Sequence, residues 1–137
     1  MSRVIGVDHG GRRVGLAVGD EETGMAFPRS TVPAGGAVKE IVRLAAEEGA
    51  GRVVVGLPRN MDGTEGSQAA AARAFGQELM AMGLDVSFSD ERLTTWEAEE
   101  RSGTADRSRR ANAIDSAAAA LILEQYFADQ RRHPEEA

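Results

Sequence analysis

The run Arg-Val-Val-Val-Gly-Leu-Pro, residues 52–58, constrains the fold of this chain more than any other stretch. Three β-branched residues in succession, with no polar residue alternating between them, mark a strand buried on both faces. A strand with one wet face would carry a polar residue at every second position. The rest of the chain must therefore supply helices for both faces of a sheet and neighbours for this strand on either side.

The flanking segments can meet that demand. "RVIGVD" ends in Asp8 and "RRVGLAVGD" ends in Asp20, with Gly10 and Gly11 between them as hairpin turn residues. In the second run Val14, Leu16 and Val18 share one face, and Gly15, Ala17 and Gly19 share the other. That smooth face suits a closely packed helix or a neighbouring backbone. "GMAFPRSTV" predicts a third strand, with Pro28 at an edge or a bulge.

Val38, Ile41, Val42 and Ala45 recur at helical spacing up to Glu48, and Gly49 is placed to stop that helix. Ala72, Phe75, Leu79 and Met82 mark another helix, ended by Gly83. A strand "DVSFS" then runs into Asp90, Glu91 and Arg92. Thr94 followed by Glu97 fits a capping box, predicting a short helix over "TTWEAEER". The last helix places Ile114, Ala117, Ala118, Leu121 and Ile122 on one side, and the tail from Arg131 is expected to fray.

The order is β-β-β-α-β-α-β-α-α. It predicts an α/β fold with a mixed five-stranded sheet, three antiparallel strands followed by two parallel ones, and helices on both faces. No repeat or linker divides the chain, so residues 1–130 form one domain and 131–137 a disordered tail. At 137 residues the chain is long enough for a core without staples.

Composition removes several chemistries. There is no cysteine, hence no disulfide, thiolate metal site or cysteine nucleophile, and the only histidines are His9 and His133. No apolar run approaches the roughly 18 residues that span a bilayer, and the first residues lack a signal-peptide layout. The expected location is the cytoplasm. A net charge of −6 argues mildly against a nucleic-acid partner, yet the basic residues cluster in "GRR", "DRSRR" and "QRRH". Fifteen of the sixteen basic residues are Arg, the better fork for phosphate.

Acids stand at three places that the predicted topology could bring together: Asp8 at the end of the first strand, Asp90 with Glu91 after the fifth, and Asp115 in the last helix. The carboxyl ends of parallel strands form the ligand crevice of such sheets. Carboxylates held close repel one another unless a cation neutralises them, and an all-oxygen set selects Mg²⁺ or Mn²⁺. Two such ions about 3.5–4 Å apart clamp the in-line attack of water on a phosphodiester. Taken singly, Asp8 reads equally as a turn residue, Asp90 and Glu91 as a solvated strand end, and Asp115 as a helix-dipole partner. Their coincidence at one end of the sheet is what points to a cation site.

"GVDHGGRRVGLAV", "VVVGLPRNMDGTEG", "DERLTT" and "AIDSAAAALIL" together resemble the YqgF family, also called RuvX, of the ribonuclease H-like superfamily. The match covers residues 3 to about 127. It implies a ribonuclease H-like fold and a nuclease dependent on two Mg²⁺ or Mn²⁺ ions. Members are described as Holliday junction resolvases by kinship, and as nucleases trimming precursor 16S rRNA on pre-ribosomal particles. The family pattern puts the catalytic, metal-binding acids on Asp8, Glu91 and Asp115, with Asp90 as the neighbouring candidate. It puts Arg12 at the family's basic position after the first-strand glycines and Arg13 at the next. Arg92 would then grip phosphate or the carboxylates, and "GLPRNMDGTEG" would face phosphate with Arg59 and Asn60, or be an ordinary connection turning at Asp62-Gly63. The family often has a basic residue where this chain has Ser116, so one phosphate contact is missing or moved to Arg107, Arg109 or Arg110. Related resolvases carry one acid at the end of the fourth strand, where this chain has Gly56-Leu57-Pro58, so Glu91 must substitute from the next strand.

His9 is a candidate for proton transfer or a spectator, and Trp96 and Phe88 are expected to pack rather than stack on bases. Alternatives remain. A non-catalytic RNA- or ribosome-binding module would keep the fold without turnover, and junction resolution would call for a symmetric dimer where RNA trimming needs only a monomer. An actin-like ATPase would need two such domains, more than 137 residues supply.

Overall fold

The computed structural model describes residues 3–92 and 108–132, with side chains described for 3–91 and 116–132. Strands β1 (Arg3–His9), β2 (Arg13–Asp20) and β3 (Met25–Pro33) come first. A short 3₁₀ turn over Ala34–Gly36 leads into helix α1 (Ala37–Glu48), then β4 (Arg52–Arg59), α2 (Ser67–Ala81), β5 (Asp85–Arg92) and α3 (Ser108–Arg132). The sheet order is β3-β2-β1-β4-β5, antiparallel among the first three strands and parallel across β1-β4-β5. That is the mixed five-stranded architecture the element order demands.

β4 is enclosed, with residues 53–58 buried. Its odd-numbered side chains Val53, Val55 and Leu57 join Ile5, Val7, Val14 and Leu16 under α1 and α2. Its even-numbered Val54 joins Val4 and Ala17 under α3. The uninterrupted apolar run is thus two half-strands interleaved, each serving a different core.

Glycine decides how α3 sits. A Cβ at Gly6 would lie 2.6 Å from Leu123 Cγ and 2.8 Å from the Ala119 carbonyl oxygen. One at Gly19 would lie 2.8 Å from the Phe127 ring. The smooth face of β2 therefore does accept a helix, at a distance only glycine permits. The buried stripe of α3 is Ala119, Ala120, Ile122, Leu123, Tyr126 and Phe127. This corrects the apolar side read from Ile114, Ala117, Ala118, Leu121 and Ile122, because Leu121 is 63 % exposed. The helix is rotated from the expected setting so that its largest side chains fill the hollows over the sheet glycines.

β3 is an edge strand, and its pairing slips where Leu16 faces Ser30 but Ala17 faces Pro28, leaving Arg29 as the extra residue of a bulge. Pro28 thus marks both an edge and a bulge. Arg29 reaches Glu48 of α1 at 2.7 Å, where Arg3 of β1 also binds. The two guanidiniums hold the Glu48 carboxyl below its usual range, Arg29 foremost.

Helix stops fall where the sequence predicts. Gly49 (φ 68°) and Gly83 (φ 90°) take left-handed backbone that side chains resist. Met82 is 56 % exposed just past α2, so it belongs to the turn and not to the core stripe. β5 does not end at Ser89: it continues through Asp90 and Glu91 to Arg92, because β4 supplies Leu57, Pro58 and Arg59 as partners. The helix predicted over 94–101 and Trp96 lie outside the described residues. α3 includes Arg131 and Arg132, and residues 133–137 lie outside the description. Among the described residues no helix is long and apolar enough to cross a membrane.

Candidate active site

Strand alternation sets which acids can meet. In β1, Val4 packs under α3, so Gly6 and Asp8 share that face. Asp8 is only 5 % exposed. The parallel register of β1 with β4 pairs Val7 with Val55, so Asp8 stands level with Gly56. Gly56 in turn pairs with Ser89 of β5.

Glu91, two residues beyond Ser89, faces the same side and folds back. Its Oε2 lies 3.1 Å from where a Cβ on Gly56 would sit, beside Ile122 of α3. That oxygen is buried. Asp8 and Glu91 thus come from strands on either side of β4 to the same face, at the carboxyl end of the parallel strands.

Asp90 goes the other way. It lies on the face of Val86 and Phe88, and its Oδ1 is 3.0 Å from Arg59 Nε. The contact is an ion pair by distance but lacks hydrogen-bond geometry. Arg59 also reaches Glu65, which is bound by Arg73 at 2.8 Å. Of the two adjacent acids, only Glu91 shares the face of Asp8.

The register of α3 brings a third acid into line through its backbone. The Ala119 carbonyl sits above Gly6, and position 115 is one turn earlier in the helix, about 6 Å along its axis. Asp8 is two residues beyond Gly6, about 6.6 Å along the strand. Since α3 descends from Ala119 over Gly6 to Phe127 over Gly19, the helix and β1 run in opposite directions. Position 115 therefore comes level with Asp8. The side chains of Asp115, Arg92, Arg109 and Arg110 lie outside the described residues.

The other predicted contacts separate. Arg13 opens β2 on the α3 face, two residues before Gly15, the antiparallel partner of Asp8. Arg12 is exposed in the β1–β2 turn. Asn60 is turned into its own loop: its Nδ2 donates to Thr64 Oγ1 at 2.9 Å and its backbone N–H to the Thr64 carbonyl at 2.8 Å. Asp62 accepts from both the backbone N–H and the hydroxyl of Thr64, and Gly63 (φ 88°) completes the turn. The loop is a built turn, and one Asn60 donor is already engaged.

His9 lies on the opposite face from Asp8, its ring 4.6 Å from that of Phe75. Burial lowers its pKa, partly offset by Glu78. It is not positioned beside the acids. Phe88 packs under Arg73, whose guanidinium is 5.5 Å from the ring centroid, as expected of a packing residue.

Sequence reasoning missed the part played by Gly56. A glycine inside a β-branched run signals close approach of another group, and here two groups approach. Among the described residues no cluster of three metal-ligating side chains occurs. Asp8, which is buried, and Glu91, whose Oε2 is buried, nonetheless fit a divalent cation: they are anionic oxygen donors on one face, the donor type that hard ions take.

A family model described as "RuvX: Holliday junction resolvase" matches residues 2–129. A protein of Chloroflexus aggregans is 42% identical, with 96% of each chain covered, and carries the name "Putative pre-16S rRNA nuclease". Proteins of the same name from Pelotomaculum thermopropionicum (40% identical, covering 98% of this chain and 92% of that one) and Anaeromyxobacter dehalogenans (42%, covering 96% and 99%) are also similar. The Thermus thermophilus RuvC structure, solved with a Holliday junction substrate, superposes with TM-score 0.54 at 12% identity over 96% of each chain. That likeness establishes the ribonuclease H-like fold.

Proposed function

The chain belongs to the RuvX family, and from that premise we propose that it is a divalent-metal-dependent nuclease acting on the 5′ end of precursor 16S rRNA in the cytoplasm. The observation that carries the reading is the shared face of Asp8 and Glu91, with position 115 of α3 level with Asp8. In this reading Asp8, Glu91 and Asp115 form the acid cluster.

Asp8 is held by a central strand, so its carboxylate is fixed before substrate arrives. Glu91 reaches in over Gly56 and completes the pair. Bound Mg²⁺ or Mn²⁺, two ions when fully loaded, would activate water and offset charge on the phosphate. Arg13, on the same face, and Arg12, at the turn, would meet backbone phosphates. Arg92, Arg109 and Arg110 are the further candidates. These cations would answer the net charge of −6 locally, with bound metal offsetting the acids.

The test incubates the protein with RNA carrying a 16S 5′ extension, with single-stranded DNA and with a four-way junction. Each substrate is run with Mn²⁺, Mg²⁺ or chelator, alongside Asp8→Asn. Metal-dependent RNA trimming lost in the variant is the expected result. Preferential cutting of the junction would instead make this chain a resolvase, as the family description has it. Binding without cutting by either protein would refute the nuclease.

A further inference from the structure

Gly56 interrupts a strand whose neighbours are Val53, Val54, Val55 and Leu57, all buried. Its backbone conformation does not explain the choice, since it is not among the positive-φ glycines. Space does. A Cβ there would be 2.5 Å from Ile122 Cδ1, 3.2 Å from Ile122 Cγ1 and 3.1 Å from Glu91 Oε2. The missing side chain of β4 is the room into which the carboxylate of β5 folds.

We propose that Gly56 is a positioning residue of the acid site, its bare Cα admitting the Glu91 carboxylate over β4 toward the face of Asp8. The inference rests on the metal-site reading given above. An alanine at 56 makes Oε2, the end of a flexible side chain, give by a few tenths of an ångström, more than the spread of about 0.2 Å in metal–ligand distances. The same alanine also collides with Ile122, which is a packing effect and not a site effect. The two are separable because Ile122 can be cut back independently.

The experiment measures Mn²⁺ binding by calorimetry and metal-free thermal unfolding for wild type, E91Q, G56A, I122A and G56A/I122A. E91Q is expected to weaken binding strongly. G56A is expected to weaken it by about 10–100-fold, the range found when groups supporting metal ligands are altered. Cutting Ile122 back in G56A/I122A is expected to relieve the packing collision and bring its unfolding close to that of I122A. Its Mn²⁺ affinity should stay as poor as that of G56A, because the alanine still faces Oε2. Equal Mn²⁺ affinity of G56A/I122A and I122A would overturn the role of Gly56 while leaving the metal site standing. Undiminished binding by E91Q would overturn the metal-site reading itself, and this inference with it.

Discussion

Gly6→Ala tests whether the seat of α3 on the sheet is set by contact at glycine. The new Cβ would meet Leu123 Cγ at 2.6 Å, the Ala119 carbonyl oxygen at 2.8 Å and Leu123 Cδ1 at 2.9 Å. Leu123 can rotate, but the Ala119 oxygen is backbone and moves only with the helix. Restoring a contact of about 3.4 Å requires α3 to recede by roughly 0.6 Å, and a gap of that size forfeits a quarter or more of the dispersion energy along the interface. Overpacking of this kind costs about 1–3 kcal/mol. For a chain of this size that lowers Tm by about 3–12 °C.

Thermal unfolding is followed by circular dichroism in chelator, so that metal binding does not mask the change. Gly11→Ala is the control, since nothing lies within 4 Å of its Cβ. Because α3 also carries Asp115, G6A should lose metal-dependent nuclease activity under conditions where it remains folded. If G6A melts with G11A, the helix is not seated by this contact.

Further outcomes follow from the same geometry. Glu91→Gln should reduce metal-dependent cleavage by at least about 100-fold, the scale of a lost catalytic electrostatic group. Asp90→Asn, on the far face with Arg59, should stay within a few-fold of wild type; equal losses in the two would contradict the alternation. His9 has a lowered folded pKa because burial disfavours its charged form, so the unfolded chain binds more protons below the ordinary value of 6.5. Stability therefore falls as pH drops through that value, and urea midpoints at pH 7.5 and 5.5 should differ less in His9→Gln than in wild type.

Glu48 has a depressed folded pKa, so its contribution is present above the ordinary value of 4.5 and is lost as pH falls below it. Glu48→Gln should destabilise by about 1 kcal/mol at neutral pH and low salt, with the difference shrinking in acid urea melts.

Much of this molecule was legible one-dimensionally because its signals are local. The β-branched run 53–55, the glycines at 49 and 83 and the proline at 28 each act through backbone geometry or through a pattern two residues long. Together they determined the element order, the mixed sheet and the edge strand. The three acids were likewise visible as residues, and the choice between Asp90 and Glu91 was already latent in alternation from Val86.

Other features depended on what lies across the gap. β5 runs on past Ser89 only because β4 offers partners as far as Arg59. The rotation of α3, which buries Leu123 and exposes Leu121, is set by hollows over Gly6 and Gly19 in other strands. Gly56 looked like one residue of a buried strand, and its meaning appears only when Glu91 and Ile122 arrive from elsewhere in the chain. The sequence by itself determined which residues turn, extend or coil, because those choices are made within a few bonds. Tertiary structure alone decided which of them share a face and a space, because steric exclusion acts between residues that the chain keeps far apart.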